Sequence, residues 1–222
     1  PVQASLPAGA GVTQLHAGSH FVLALRQDGT VLHWGRGDHG QAGDGGTSDA
    51  PTPHQIAALG SDNALVSGTG YTCLVLKADG ALWAWAYNNH GQLADGTTTG
   101  RSTPAQISSV GTDNAFVTGG YTHVLLLKAD GALIGWGRNN YGQLGNGNTN
   151  NQLSPIAISV PGAPVIQVSA GSSQSYATAA DGTVYAWGSN GGEYRLGDST
   201  TTTRTSPVTV SDYQADPAAQ LA

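Results

Sequence analysis

Gly120-Tyr121-Thr122-His123-Val124-Leu125-Leu126-Leu127-Lys128-Ala129-Asp130-Gly131 leads into Ala132-Leu133-Ile134-Gly135-Trp136-Gly137. Arg138-Asn139-Asn140-Tyr141-Gly142-Gln143-Leu144-Gly145 follows, and the stretch closes at Pro155. The rest of the chain repeats it at a spacing of 51 residues: Trp136 has counterparts at Trp34, Trp85 and Trp187. The same step relates Asp130 to Asp28, Asp79 and Asp181, and Val117 to Leu15, Val66 and Val168. A period of this size is the signature of a repeat architecture.

Each copy reads as four strands. Asp130-Gly131 between two apolar runs is a strong hairpin signal. The continuous run Val124 to Leu127 predicts a strand buried on both faces. A glycine beside Trp136 lets a neighbouring backbone approach closely. Ala115-Phe116-Val117-Thr118 supplies a strand before these, and Pro155-Ile156-Ala157-Ile158 one after, with proline first as suits an edge strand. Four short antiparallel strands are the content of one propeller blade. The fold expected is all-β: a β-propeller or propeller segment of four 51-residue blades.

The order of these parts, through Trp-Gly and Asn-Asn-x-Gly-Gln-Leu-Gly to Pro, resembles the repeats of the regulator of chromosome condensation family over essentially the whole chain. The third copy matches best, down to His123. The others carry Phe21, Thr72 and Gln174 there, Ala86 follows Trp85, and the fourth copy has one residue inserted in Gly192-Glu193-Tyr194-Arg195-Leu196-Gly197. The resemblance implies a scaffold that binds proteins, since relatives bind small GTPases and chromatin.

Bulk properties narrow the function. Charged residues make up 10%, against ~25% in ordinary globular proteins. A formal net charge of −6 argues against nucleic acid, which needs a basic footprint, and against anionic membranes. Cys73 is the only cysteine, so no internal disulfide or thiolate cluster forms. Few lysines, no methionine and many Thr, Ser and Asn suit a bacterial secreted or surface protein.

The blades are placed at about 12–60, 64–110, 115–160 and 165–211. Residues 1–11 read as the closing strand of a preceding or partner blade, because Pro1-Val2-Gln3-Ala4 resembles Pro104-Ala105-Gln106-Ile107. Residues 212–222 form a tail. The surplus strand predicts either a longer array or self-association that completes the ring.

Alternating strand direction puts the first-to-second strand loops and the long loops 37–52, 88–103, 139–154 and 190–206 at one end. Those loops differ between copies, whereas the Asp-Gly turns opposite are uniform. Function on repeat scaffolds concentrates in variable loops of one face. The binding candidates there are Arg36, His39, Tyr71, Tyr87, His90, Tyr121, Arg138 and Tyr141, because Tyr and Arg are enriched in binding hot spots. Five of the seven histidines lie in the first copy, but their spacing fits no metal-ligand pattern. Asp44 and Asp95 precede glycines and read as turn residues. No nucleophile motif, acid pair or phosphate-cradling loop is present. The reading is a non-enzymatic module without cofactor or metal that recognises another protein. A carbohydrate-binding module is the alternative: sites repeated once per blade would favour sugar, one continuous patch would favour protein.

Overall fold

The Asp-Gly pairs make the same turn four times. Oδ1 of Asp28, Asp79, Asp130 and Asp181 accepts the backbone N–H two residues on, at 2.9–3.0 Å. The glycine after each has φ between 77° and 85°, which glycine adopts without strain. A computed structural model describes residues 6–210. The closing strand expected at Pro1 to Ala4 and the tail from Asp212 lie outside them.

Sixteen strands form four antiparallel sheets, each ordered as in the sequence. Blade one holds β1 (Val12–Ala17), β2 (Phe21–Arg26), β3 (Val31–Gly35) and β4 (Ala50–Gln55). Blade two holds β5 (Asn63–Gly68), β6 (Thr72–Lys77), β7 (Leu82–Ala86) and β8 (Arg101–Gln106). Blade three holds β9 (Asn114–Gly119), β10 (His123–Lys128), β11 (Leu133–Gly137) and β12 (Gln152–Ile158). Blade four holds β13 (Val165–Ala170), β14 (Gln174–Ala179), β15 (Val184–Gly188) and β16 (Arg204–Thr209). As the apolar run predicts, every residue of β10 is buried. The prolines differ from expectation. Pro53, Pro104, Pro155 and Pro207 stand fourth in the outermost strands, not first. Pairing to the neighbouring strand shifts register there, and an edge strand with such an irregularity tolerates a missing N–H.

The core lies in the seams between blades. Leu23, Leu25 and Val31 of blade one pack with Val66, Cys73, Val75 and Trp85 of blade two. Leu74, Leu76 and Leu82 meet Val117, Val124, Leu126 and Trp136. Leu125, Leu127 and Leu133 meet Val168, Ala177 and Trp187. Each seam carries three further links. The indoles of Trp85, Trp136 and Trp187 donate to the backbone carbonyls of Gln41, Gln92 and Gln143, at 3.0, 2.8 and 2.7 Å. On the inner rim Ser19 N–H reaches Gly70 O, Gly70 N–H reaches Tyr121 O and Tyr121 N–H reaches Ser172 O, at 2.9–3.1 Å. On the outside Gly45, Gly96 and Gly147 N–H reach Ser102, Leu153 and Thr205 O.

The described array is open. Leu15 is 63% exposed, whereas its counterparts Val66, Val117 and Val168 are at most 4% exposed. Trp34, expected to be enclosed like the other three, is only half-buried, because no blade precedes it among the described residues. Trp136→Ala is therefore expected to destabilise by ~3–5 kcal/mol, the usual cost of removing a large enclosed ring. Trp34→Ala should lower stability by less than half as much. Urea titration of the two variants checks the ratio.

Two histidines are fully enclosed. Ser175 Oγ donates to Gln143 O at 2.7 Å, so His123 Nε2, 2.9 Å from that oxygen, carries the proton, and Nδ1 has no partner. His33 stacks on Phe21 and meets His54 edge-on, with neither ring nitrogen bonded. Burial lowers both pKa values to about 4, with His54 adding to the effect at His33. Between an ordinary 6.5 and about 4 the unfolded chain takes up protons that the folded chain refuses. Stability falls as pH falls through that window. Denaturant titrations from neutral pH down to mildly acidic pH should show this loss. His123→Gln, the residue that copy four carries as Gln174, should make the slope shallower.

Candidate functional site

The long loops are held from inside by two amides. Asn88, Asn139 and Asn190 are fully enclosed. Their Oδ1 atoms accept the N–H of Leu93, Leu144 and Leu196 at 2.8, 2.9 and 3.1 Å. Their Nδ2 groups donate across the loop to the carbonyls of Thr97, Asn148 and Thr200. Gln41, Gln92 and Gln143 are equally enclosed. Their Oε1 atoms accept the N–H of His39, His90 and Tyr141 at 2.8–2.9 Å. The long loops of blades one to three each thus present one ring from a fixed backbone position.

Five of the eight expected residues converge. His39 lies 5.0 Å from Tyr87 and 5.6 Å from Tyr71 between ring centroids. Tyr71 lies 5.7 Å from Tyr87 and 5.4 Å from Tyr121, and Tyr87 lies 6.3 Å from His90. These separations suit edge-to-face and tilted aromatic contacts. The Tyr71 and Tyr121 hydroxyls are 2.9 Å apart, a bond that pushes the Tyr121 phenol above its usual pKa. His20, absent from the expected set, joins through Tyr71 at 6.0 Å. Its only signal in the sequence is its place in the same first-to-second strand loop.

Of the other three candidates, Arg36 and Arg138 border this patch, and Tyr141 stands apart from it. Arg36 is paired with Asp38 at 2.5 Å. Arg138 acts on His90, whose pKa is lowered first by desolvation and then by that guanidinium. Tyr141 is 45% exposed and makes no ring contact with the cluster. The rings bridge two hollows. One of about 320 Å³, between the first-to-second strand loops, is lined by Tyr121, His16, Ser19, Gly70 and Ser172. The other, of about 280 Å³, is lined by His39, Tyr87, Asp38 and Arg101.

The acids are used structurally. Asp44 accepts Gly46 N–H, while Asp95 accepts Thr97 N–H and pairs with Arg101. Among the described residues no three His, Cys, Asp or Glu side chains gather where they could hold a metal ion. Cys73 is buried and free, and desolvation raises its pKa well above the usual thiol value.

Models of the regulator of chromosome condensation (RCC1) repeat match residues 28–75, 79–127 and 130–178, and a second form of the repeat matches 12–41, 115–143 and 165–192. The chain belongs to the RCC1 repeat family. It is 30% identical over 197 residues to the ultraviolet-B receptor UVR8 of Arabidopsis thaliana, covering 86% of this chain and 44% of that protein. It is 32% identical over 189 residues to the human E3 ubiquitin-protein ligase HERC2, covering 82% of this chain and 4% of the ligase. The solved human WBSCR16 superposes with a TM-score of 0.82 at 25% identity, over 92% of this chain and 54% of that one. Yeast Prp20 superposes with a TM-score of 0.83 at 22% identity, over 96% and 53%, and shares the fold. The RCC1-type array described here spans about half the length of WBSCR16 and less than half of UVR8.

Asn139→Ala should expose the role of the buried amide. It leaves the buried Leu144 N–H without a partner, a loss that costs ~1–3 kcal/mol, and frees the Asn148 side of the loop. The expected result is a stability loss of ~2 kcal/mol with faster hydrogen exchange confined to the 139–154 loop.

Proposed function

We propose that this RCC1-type array is a non-catalytic recognition module that binds another protein through the ring patch of blades one to three. The observation that carries the reading is continuity. The rings form one patch across two seams, from His39 to Tyr121, and not one separate aromatic site per blade. Blade four has no ring at the corresponding places, where Ser172, Ser173, Ser189 and Glu193 stand. A single extended patch suits a protein surface, with tyrosine as a rigid amphipathic anchor. Its flanking polar groups, Arg36, Asp38 and Arg138, suit a polar rim. Family members offer precedent: yeast Prp20 has been solved bound to Kap60, and its binding to Gsp1p and histones has been described.

Tyr87→Ala combined with Tyr121→Ala should abolish specific capture of a protein partner while shifting the melting temperature little, since Tyr121 is 42% exposed. Ala129→Lys, on an exposed residue at the opposite end, should leave capture intact. Equal capture by the double variant would move the site elsewhere. Binding of the wild-type chain on a glycan array, lost in the same variant, would replace the protein reading with a sugar-binding one.

A further inference from the structure

The three seams are built from one set of parts, and the outer face of blade four departs from each part. In blades one to three a fully enclosed leucine faces the next blade: Leu23, Leu74 and Leu125. A glycine at positive φ stands in each long loop: Gly40, Gly91 and Gly142. A Cβ on those glycines would lie 2.5–2.6 Å from the Cα of Ser102, Leu153 and Thr205, in the outer strand of the next blade. The following glutamine offers its carbonyl to the next indole.

In blade four these three positions are Tyr176, Tyr194 and Arg195. The loop's own bonds fix the correspondence despite the inserted residue. Leu196 N–H meets Asn190 Oδ1 as Leu144 N–H meets Asn139 Oδ1. Gly197 N–H meets Tyr194 O as Gly145 N–H meets Gly142 O.

Each replacement obstructs a further seam. Tyr176 donates its hydroxyl to Arg195 O at 2.8 Å, on the carbonyl that would otherwise receive an indole. Tyr194 keeps the left-handed backbone, with φ of 55°, and is 63% exposed. Its side chain therefore starts where the outer strand of a next blade would have to pass. Thr178 replaces Leu25, Leu76 and Leu127, and Glu193 pairs with Arg195 beside it. The incoming face of blade one has no such device among the described residues: Leu15 is exposed and Trp34 is half-buried.

We propose that Tyr176 and Tyr194 close the outgoing face of blade four, so that blade one of a second copy does not pack on it. Repeat units that must not stack further carry a polar outer face, and these two tyrosines give blade four such a face. Ring completion between two copies, which the surplus strand suggested, would need blade four of one copy on blade one of the other. The two tyrosines withhold that contact.

Sedimentation velocity over a wide concentration range tests the device. The wild-type chain is expected to remain a monomer. Tyr176→Leu with Tyr194→Gly restores the parts of the other seams and should associate head to tail, at least doubling the weight-average mass at high concentration. Adding Leu15→Arg, on the receiving face, should return it to monomer. Tyr176→Leu alone leaves the loop intact and should give the same behaviour more weakly, which keeps the test open if the double variant does not fold. The proposal is overturned if either variant, folded by circular dichroism, stays monomeric. It is equally overturned if the wild-type chain already associates in a manner that Leu15→Arg abolishes.

Discussion

The indole-to-carbonyl bond across each seam is the contact on which the other features depend. A tryptophan fills the space between two sheets, but its N–H must find a partner once enclosed. The partner is the carbonyl of Gln41, Gln92 or Gln143, and that carbonyl points inward only if its loop is folded. The loop folds because a glycine supplies the left-handed turn and, in blades two and three, a buried asparagine ties its two sides together. Core packing and loop conformation are therefore one problem with one solution. The residues that close the seams also hold the tips carrying His39, His90 and Tyr141, so the candidate site stands on the core without a flexible linker.

The scaffold is close to symmetric, and the ring patch is not. Equivalent loop positions hold His20, Tyr71, Thr122 and Ser173 in one series, Ser19, Gly70, Tyr121 and Ser172 in the next, and Arg36, Tyr87, Arg138 and Ser189 in a third. Rings accumulate around the seam of blades one and two and are absent from these positions in blade four. A stability requirement common to all blades would have favoured the same residue at each place. Difference imposed on equivalent backbone is what a surface selected for one particular contact looks like, and it is what separates this end from the uniform Asp-Gly end.

Much of this could be read from the chain itself, for identifiable reasons. The spacing from Trp34 to Trp187 defined the blades, and the alternation of strand direction put Tyr71, Tyr87 and His39 at one end. The limits were equally physical. Pro155 marks an edge strand, but the strand begins at Gln152, because pairing continues past the register shift. Trp34 carries the same local sequence as Trp136, and only the presence or absence of a neighbouring blade decides whether it is enclosed. Asn139 and Gln143 read as polar loop residues, since nothing in a linear sequence shows that a carboxamide is buried and satisfied. His20 was not among the candidates because no second copy has histidine there.

The acceptor in each seam belongs to the main chain. A side-chain acceptor would tie each blade to a particular neighbour, and any drift in one would have to be matched in the other. A carbonyl held by a turn asks only that the turn be kept. Units built like blades one to three can then be duplicated, excised or reordered, and each new junction finds the bond it needs without a compensating change. Sequence freedom is left where the seam does not look, in the loop tips. The modular growth of such chains and the divergence of their surfaces have the same origin, in the choice of a backbone oxygen over a side chain.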